Sequence, residues 1–146
     1  MRVIVQRVSS AAVHVSGDMV GTIGPGLLLL VGFGQGDSRE NLRPMAEKIS
    51  TMRIFSNEQG RFDRSVLDVK ADILAVPQFT LYADTSKGRR PEFFQALSPD
   101  LAKPLFLEFL EALRATGASK VEAGIFGADM KVSLVNDGPV TICLEH

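Results

Sequence analysis

Residues 2–33 read RVIVQRVSSAAVHVSGDMVGTIGPGLLLLVGF, a segment whose apolar residues are mostly Val, Ile and Leu. Val and Ile are enriched in β-strands. Turn-forming residues divide the segment at Ser9-Ser10, at Gly17-Asp18 and at Gly24-Pro25-Gly26. The pattern therefore predicts a β meander of four short strands, over residues 2–8, 11–16, 19–24 and 26–33.

Helical periodicity first appears after Ser38. Apolar residues recur there at helical spacing, at Leu42, Met45, Ala46, Ile49 and Met52. Ser38 is suited to cap a helix, and Pro44 removes one backbone donor. We therefore expect a helix from Ser38 to about Met52, with a kink or a late start at Pro44.

A second helix is predicted by Ser98-Pro99-Asp100, because serine is a favoured cap and proline a favoured first helical residue. The apolar positions that follow also have helical spacing, at Leu101, Leu105, Phe109 and Leu113. Pro104 predicts a bend near the first turn. Gly117 is expected to end the helix.

Shorter apolar segments complete the predicted fold. Further strands are expected at residues 53–56, 72–76, 130–135 and 140–144. Strands outnumber helices but alternate with them, so we expect an α/β or α+β fold with two main helices and a curled mixed sheet or barrel-like core. A chain of 146 residues is expected to form one domain, over residues 1–146.

Composition restricts the possible functions. The formal net charge is −1, and Lys87-Gly88-Arg89-Arg90 is the one concentrated basic segment, so any contact with RNA is expected to be local. Charges near the N-terminus argue against a signal peptide, and the apolar run at residues 27–31 is too short to cross a bilayer. We expect a cytoplasmic protein with no membrane partner. The single cysteine, Cys143, cannot form an intramolecular disulfide.

Side chains suited to general-base or metal chemistry are scarce. The two histidines are His14, expected on the solvent face of a strand, and the terminal His146. A Ser-His-Asp triad or a histidine metal site is therefore hard to assemble, and we expect neither a metal nor another cofactor. A hydrolase built on this chain would depend on backbone amides directed at an oxyanion and on precise positioning of the substrate.

Two segments have features suited to such backbone chemistry. In residues 76–81, VPQFTL, the proline removes a ladder donor, which predicts a strand end with free amides at Gln78 and Phe79. Residues 136–141, NDGPVT, indicate by themselves only a turn. The glycines at positions 32, 34 and 36 also predict a loop, but their spacing matches no phosphate-binding motif.

Six segments carry a family resemblance through their order along the chain. They are Val5-Gln6-Arg7-Val8, Met52-Arg53-Ile54-Phe55, Gln78-Phe79-Thr80-Leu81, Lys87-Gly88-Arg89-Arg90-Pro91, Phe126-Gly127-Ala128-Asp129-Met130 and Asn136-Asp137-Gly138-Pro139-Val140-Thr141. In this order they resemble the D-aminoacyl-tRNA deacylase family, also known as the D-tyrosyl-tRNA deacylases, along essentially the whole chain. No single segment is decisive, but the ordered set is highly specific.

The resemblance implies the deacylase-family fold, a homodimer and an activity in the proofreading of translation. The substrate would be tRNA carrying a D-amino acid or glycine, whose ester to the terminal ribose is hydrolysed. The resemblance further implies that Gly138-Pro139 is a cis dipeptide that enters the partner subunit's pocket. Its carbonyl groups would then occupy the space that an L side chain requires, which excludes the L-enantiomer sterically.

The resemblance also implies a catalytic segment, made of Gln78, Phe79 and Thr80. The Phe79 amide is the expected oxyanion donor. Thr80 has no His or Lys nearby in the sequence to take its proton, so we expect it to position the substrate rather than to attack it. A ribose hydroxyl of the tRNA would assist the attacking water.

Supporting residues are implied in the same way. Arg7 is expected to hold the Gly138-Pro139 segment in place without contacting the substrate itself. Phe126 and Met130 are expected in the pocket wall, with plain core packing as the alternative for both.

One position departs from the family pattern, which usually reads S-Q-F-T-L where this chain has P-Q-F-T-L. Pro77 removes a hydroxyl and a backbone donor from the substrate pocket. Two alternatives therefore remain beside the D-specific enzyme. One is a deacylase of relaxed specificity that accepts some L-aminoacyl substrates, and the other is a non-catalytic dimer that binds tRNA.

Overall fold

A six-stranded mixed sheet organises the chain, whose residues 1–146 are all described by a computed structural model. The strands are β1 (Arg2–Val15), β2 (Asp18–Ile23), β3 (Gly26–Gly32), β4 (Phe55–Ser56), β5 (Phe62–Arg64), β6 (Asp72–Pro77), β7 (Val121–Ala123) and β8 (Lys131–Glu145). The helices are α1 (Leu42–Thr51) and α2 (Pro99–Ala115), and short 3-10 turns cover Arg39–Asn41 and Phe79–Tyr82. β4 and β5 form a separate two-stranded ribbon.

The long strand β1 is the centre of the sheet. β3 pairs with its first half and β2 with its second half, both antiparallel, while β8 runs antiparallel along its other edge. β6 adds parallel to β3, and β7 adds parallel to β6. The sheet is therefore mixed, as the sequence predicted.

The sheet curls until its two ends meet. A Cβ built on Gly21 of β2 would lie 3.1 Å from the Ala123 carbonyl oxygen of β7 and 3.1 Å from Leu74 Cδ1. Next to this contact, Lys120 Nζ donates to the Thr22 carbonyl oxygen at 3.2 Å. The predicted fold class, a curled barrel-like sheet with two main helices, is confirmed.

Two apolar cores flank the sheet, because successive side chains of a strand point to opposite faces. Leu27, Leu29 and Val31 belong to the larger core, which α1 and α2 cover. Leu28 belongs to the smaller core, formed with Leu74 and other strand residues. β3 is thus buried on both faces, which is why its sequence is an uninterrupted apolar run.

Three features of the strands differ from the prediction. Ser9-Ser10 does not end a strand, since β1 continues to Val15. The two strands predicted near the C-terminus are one strand, β8, with an irregularity at its middle. The short strands β5 and β7 were not predicted, because each has only three residues and so carries little apolar alternation.

Both predicted helices are present, with small differences at their ends. Ser38 Oγ accepts a backbone N–H at 3.3 Å and caps a 3-10 turn, so that α1 starts late, at Leu42. Ser98 occupies the N-cap position of α2 but makes no capping bond with its side chain. α2 continues through Pro104 and ends before Gly117, which has a φ of +90°. None of the helices combines the length and the apolar character that crossing a membrane requires.

Candidate active site

An open cavity of about 620 Å³ lies at the end of β6. This volume is within the range of about 300–1,000 Å³ typical of small-molecule sites. Its walls come from the ends of β3 and β6, the segment before α2, the start of α2 and the segment that leads into β8. Most of the lining residues are apolar: Val31, Phe33, Val76, Pro77, Gln78, Phe79, Phe93, Ala96, Leu97, Ser98, Pro99, Ala102, Phe126, Gly127, Ala128, Met130 and Val132.

The chain turns sharply where β6 ends at the cavity. Pro77 pairs with Val31 of β3 and has no N–H to continue the ladder, and after Gln78 the chain enters the 3-10 turn Phe79–Tyr82. Close approach at this point requires a glycine on β3, because a Cβ on Gly32 would lie 2.8 Å from the Gln78 carbonyl oxygen. The end of β6 is therefore fixed against the end of β3.

The backbone amides after Pro77 are not equivalent. The Gln78 N–H is not free, as the sequence suggested it would be, because it donates to the Val31 carbonyl oxygen at 2.7 Å. Phe79 and Thr80 are the first two residues of the 3-10 turn. The first amides of a helical turn have no acceptor within it and are available to another partner. The available donors are thus one residue later than predicted.

The side chains of this turn differ in their relation to the cavity. Phe79 lines it, is 55% exposed and packs edge-on against Phe93, with ring centroids 5.0 Å apart. Thr80 is not a lining residue, and its hydroxyl accepts a hydrogen bond from Gln78 Nε2. Neither histidine is hydrogen-bonded to Thr80, whose one side-chain hydrogen bond is with Gln78.

Phe126 and Met130 form another part of the cavity wall. A Cβ on Gly124 would lie 2.6 Å from Met130 Sδ and 3.5 Å from Pro77 Cδ, so the absent side chain of Gly124 leaves room for both. The Phe126 ring packs at 6.3 Å, centroid to centroid, against Phe106 of the larger core. Phe126 therefore packs against the core and lines the cavity at once.

The segment with Gly138 and Pro139 lies at the irregular point of β8. Gln6 pairs with Thr141 and Val8 pairs with Asn136, so residues 137–140 face a single residue of β1. The surplus residues project from the sheet edge as a bulge. The Gly138-Pro139 peptide bond is cis, both residues are exposed, and neither lines the cavity of its own chain.

Arg7 is the residue of β1 that faces this bulge. It is only 9% exposed, and its Nη1 donates to the Ile54 carbonyl oxygen at 2.7 Å while its Nε donates to the Asp137 carbonyl oxygen at 3.1 Å. Gly138 has a φ of +131°, and a Cβ there would lie 3.1 Å from Arg7 Nη2 and 2.8 Å from Val140 Cγ2. No other residue type fits this position without displacing its neighbours.

A polar group beneath the 3-10 turn was missed by the sequence reasoning. The Asp37 carboxylate accepts the Gly34 N–H at 2.6 Å and the Tyr82 hydroxyl at 3.3 Å. Arg2 lies 4.5 Å from the Tyr82 ring centroid, and its Nη1 donates to the Leu81 carbonyl oxygen at 3.0 Å. Burial, with the nearby Asp37 charge, raises the pKa of Tyr82 to about 12.

Close packing of Tyr82 against Gly34 explains part of the glycine-rich loop, since a Cβ on Gly34 would collide with the ring. The spacing of the glycines was the only signal in the sequence for this group. Phe93 and the segment from Ala96 to Ser98 were also missed as cavity walls. Nowhere do three His, Cys, Asp or Glu side chains come together in a group that could hold a metal ion.

Comparison with known proteins gives a consistent result. The family model described as D-Tyr-tRNA(Tyr) deacylase matches residues 4–145. A D-aminoacyl-tRNA deacylase of Roseiflexus sp. (strain RS-1) is 54% identical over 145 residues, which are 99% of this chain and 93% of that protein. A D-aminoacyl-tRNA deacylase of Dechloromonas aromatica (strain RCB) is 51% identical, over 99% of this chain and 97% of that protein.

Solved structures agree with the family match. A structure titled c-Myc DNA Unwinding Element Binding Protein superposes with a TM-score of 0.94 at 40% identity, covering 100% of this chain and 99% of its own. A probable eukaryotic D-amino acid tRNA deacylase superposes with a TM-score of 0.87 at 21% identity, covering 98% and 97%. At that identity the second likeness shows the shared fold alone.

Proposed function

Because this chain belongs to the D-Tyr-tRNA(Tyr) deacylase family, we propose that it hydrolyses the ester bond of D-aminoacyl-tRNA and of tRNA mischarged with glycine. The products are the free D-amino acid, or glycine, and tRNA. Such an enzyme deacylates mischarged tRNA before the tRNA is used in translation. We assign the protein to the cytoplasm. The observation that carries the proposal is the apolar cavity beside the available amides of Phe79 and Thr80.

The amides supply the electrophilic part of the site. With the scissile carbonyl oxygen directed at the first turn of residues 79–82, the Phe79 N–H stabilises the negative charge that develops when water attacks, and the Thr80 N–H is placed to assist. One such donor contributes about 2.7–4 kcal/mol to a transition state. The donors are fixed before the substrate arrives, because the preceding Gln78 N–H is bonded to Val31.

The nucleophile is water rather than a side chain. Thr80 has its hydroxyl bonded to the Gln78 amide group, and no histidine is hydrogen-bonded to it as a base for its proton. Activation of a hydroxyl nucleophile requires such a base. Thr80 and Gln78 therefore shape the turn, and a ribose hydroxyl of the tRNA assists the water.

The amino-acid part of the substrate occupies the apolar cavity, where Phe126, Met130 and Pro77 contact it. Rejection of L-amino acids comes from Gly138 and Pro139 of a second copy of the chain. Support for this assignment is that the dipeptide is exposed, projects from the sheet edge and is absent from the cavity of its own chain. Arg7 also bonds to the base of the bulge and thereby fixes its shape, which a steric filter requires.

The test is the release of amino acid from tRNA charged with D-tyrosine or L-tyrosine, and from tRNA charged with glycine, by the purified protein. We expect release of D-tyrosine and glycine, with L-tyrosyl-tRNA left intact. Equal release of both tyrosine enantiomers, or release of neither, would contradict the proposal.

One observation favours a variation of this function. Pro77 lines the cavity where the family usually has serine, so the wall lacks a hydroxyl and a backbone donor. A relaxed deacylase would hydrolyse L-alanyl-tRNA as well, because the small side chain needs little room. The rate on L-alanyl-tRNA in wild type and in Pro77→Ser distinguishes the relaxed enzyme from the strict one. A chain that binds tRNA but turns over none of these substrates would be a non-catalytic module.

A further inference from the structure

Residues 84–94 form an arm beside the cavity that the catalytic proposal does not use. The main chain leaves the 3-10 turn of residues 79–82, passes through the arm and returns at Phe93, which lines the cavity. Two backbone bonds close its base, from Asp84 N–H to the Glu92 carbonyl oxygen at 2.8 Å and from Glu92 N–H to the Asp84 carbonyl oxygen at 2.9 Å. The tip of the arm is thereby anchored to two walls of the site.

The tip of the arm carries three cations without a carboxylate partner. Lys87, Arg89 and Arg90 are all exposed, and none takes part in an ion pair of this chain. The carboxylates of the arm, Asp84 and Glu92, lie at its base, and Asp84 Oδ1 accepts the Ser86 N–H at 2.9 Å. Since the whole chain has a net charge of −1, these cations are a local feature and not part of a general positive charge.

An exposed aromatic ring follows directly on the cations. Phe94 is 82% exposed, more than any other large apolar side chain of the protein. Its neighbour Phe93 packs against Phe79, whereas the Phe94 ring has no aromatic partner. A basic segment combined with a free aromatic ring is the combination with which proteins bind single-stranded nucleic acid, through phosphates and through stacked bases.

We propose that residues 84–94 bind the single-stranded 3′ end of the tRNA substrate, with Lys87, Arg89 and Arg90 on its phosphates and Phe94 stacked on one of its bases. This inference rests on the proposed function, which brings that end of the RNA to the cavity mouth. A cavity that accommodates only the amino acid makes no contacts that would bind the much larger RNA. The arm supplies such contacts next to the reacting ester, on a protein whose overall charge does not attract RNA.

The cations are tested with Lys87→Gln/Arg89→Gln/Arg90→Gln, and Arg43→Gln, which removes an exposed cation of α1 outside the cavity wall, is the control. We expect the triple variant to raise KM for D-tyrosyl-tRNA about tenfold or more while kcat stays unchanged. The slope of log(kcat/KM) against log salt should become shallower by about 2, because each phosphate contact on a single strand contributes about 0.7. D-tyrosyl-adenosine, which has no phosphates, should be hydrolysed by this variant as by wild type.

The aromatic ring is tested with Phe94→Ala, and Leu107→Ala, which truncates a half-exposed residue of α2, is the control. We expect Phe94→Ala to raise KM for D-tyrosyl-tRNA about tenfold, as loss of one stacked base would, and to leave the salt slope unchanged. An unchanged KM for Phe94→Ala would remove this residue from the proposal. Equal losses on D-tyrosyl-adenosine in the triple variant would mean that the site itself was distorted and would overturn the assignment of the cations.

Binding of uncharged tRNA separates this inference from the proposed hydrolysis, since it requires no turnover. Wild type should bind intact tRNA more tightly than tRNA trimmed of its unpaired 3′ residues, and the triple variant should bind both equally weakly. If wild type binds intact tRNA more tightly than trimmed tRNA but does not hydrolyse D-tyrosyl-tRNA, the proposed function is refuted and the role of the arm in RNA binding stands. A triple variant that binds intact tRNA like wild type, or that loses affinity for trimmed tRNA as well, would refute the arm as a single-strand site.

Discussion

The segments Pro77–Thr80 and Asp137–Val140 are built alike but differ in shape, since the first is concave and the second projects. Each contains a proline at an interruption of a strand, and an arginine of β1 bonds to or directly beside each. Arg7 donates to the Asp137 carbonyl, and Arg2 donates to the carbonyl of Leu81, the residue after Thr80. The first segment forms the wall of a cavity, and the second projects into solvent. Within one chain, a concave site at the end of β6 and a projecting backbone element of β8 are thus both held by arginines of β1, and they do not meet.

The proposed function divides hydrolysis and enantioselectivity between these two segments. A side-chain gate could be placed in the cavity wall of the same chain, but a backbone filter for chirality has to approach the α-carbon of the substrate closely. The projecting bulge can do so only from another copy of the chain. On this proposal hydrolysis depends on the first segment and enantioselectivity on the second, so that variants of the two segments should have separate effects.

The largest effect is expected for Gly138→Ala. An L-residue at φ +131° is strained, and its methyl group would lie 2.8 Å from Val140 Cγ2. Strain of about 1–3 kcal/mol that displaces the bulge should lower the D-to-L ratio of hydrolysis rates about 10- to 100-fold. Gly60→Ala, which also has a positive φ but no neighbour within 4 Å, is the control. Unchanged rates for both enantiomers in Gly138→Ala would contradict the filter.

The two arginines offer the next comparison. Arg7→Met leaves the buried Ile54 carbonyl and the Asp137 carbonyl of the exposed bulge without a donor. It should lower the free energy of unfolding by about 1–3 kcal/mol, together with the D-to-L ratio. Arg2→Met should instead lower kcat for D-tyrosyl-tRNA and leave the ratio unchanged, because Arg2 bonds to the 3-10 turn and to Glu145 at the end of β8 but not to the bulge. Denaturant unfolding and single-turnover rates measure both effects. Equal changes of the ratio in the two variants would show that the segments do not act separately.

A smaller effect is expected for Thr80→Val, which removes the hydroxyl and keeps the shape and the backbone amide. Loss of a hydrogen-bonded positioning group should lower kcat no more than about tenfold, corresponding to about 0.5–1.5 kcal/mol. Removal of a covalent nucleophile would cost several powers of ten. A rate on D-tyrosyl-tRNA close to the uncatalysed one would therefore identify Thr80 as the nucleophile and contradict the backbone mechanism.

The smallest effect concerns Tyr82, the only tyrosine of the chain. Burial raises its pKa from 10.0 to about 12, so between these values the unfolded chain loses the phenol proton before the folded chain does. Below pH 10 the group contributes no pH dependence, and above it stability should fall toward pH 12. Tyrosinate absorbance in the folded protein reports this titration directly, and Tyr82→Phe should lose the corresponding part of the alkaline destabilisation. Titration near pH 10 in the folded state would show that Tyr82 is not held against Asp37.

Regular elements could be predicted from the sequence because their signals are local. The apolar run of β3 and the helical spacing behind Ser38 and Ser98 each reflect which face of the element is buried. The break at Ser9-Ser10 was wrong, because pairing of β1 with β8 along its other edge keeps a polar pair extended. The two C-terminal strands were predicted as separate because a bulge and a turn use the same residues.

The site could be predicted only through the ordered family segments. Their residues include six that line the cavity, Gln78, Phe79, Phe126, Gly127, Ala128 and Met130, and Pro77 directly precedes one of the segments. Phe93 was missed because a phenylalanine after a polar loop carries no local signal of what it will face. The bonded state of the Gln78 N–H was missed for a related reason, since its acceptor on β3 is distant in sequence. Contacts between residues distant in sequence, such as Tyr82 against Gly34, cannot be predicted from periodicity or from turn residues.

The most direct test of the division between the two segments is complementation in mixed dimers. One variant, Ala128→Phe, fills its own cavity and keeps an intact bulge, and the other, Gly138→Ala, keeps an intact cavity and has a damaged bulge. If the bulge acts on the partner, dimers re-formed from the two variants contain one complete site, from the Gly138→Ala cavity and the Ala128→Phe bulge. We expect D-selective hydrolysis of tyrosyl-tRNA to return to about half of the wild-type rate per dimer. Mixed dimers no more D-selective than the parent variants would contradict the assignment of the filter to a second copy of the chain.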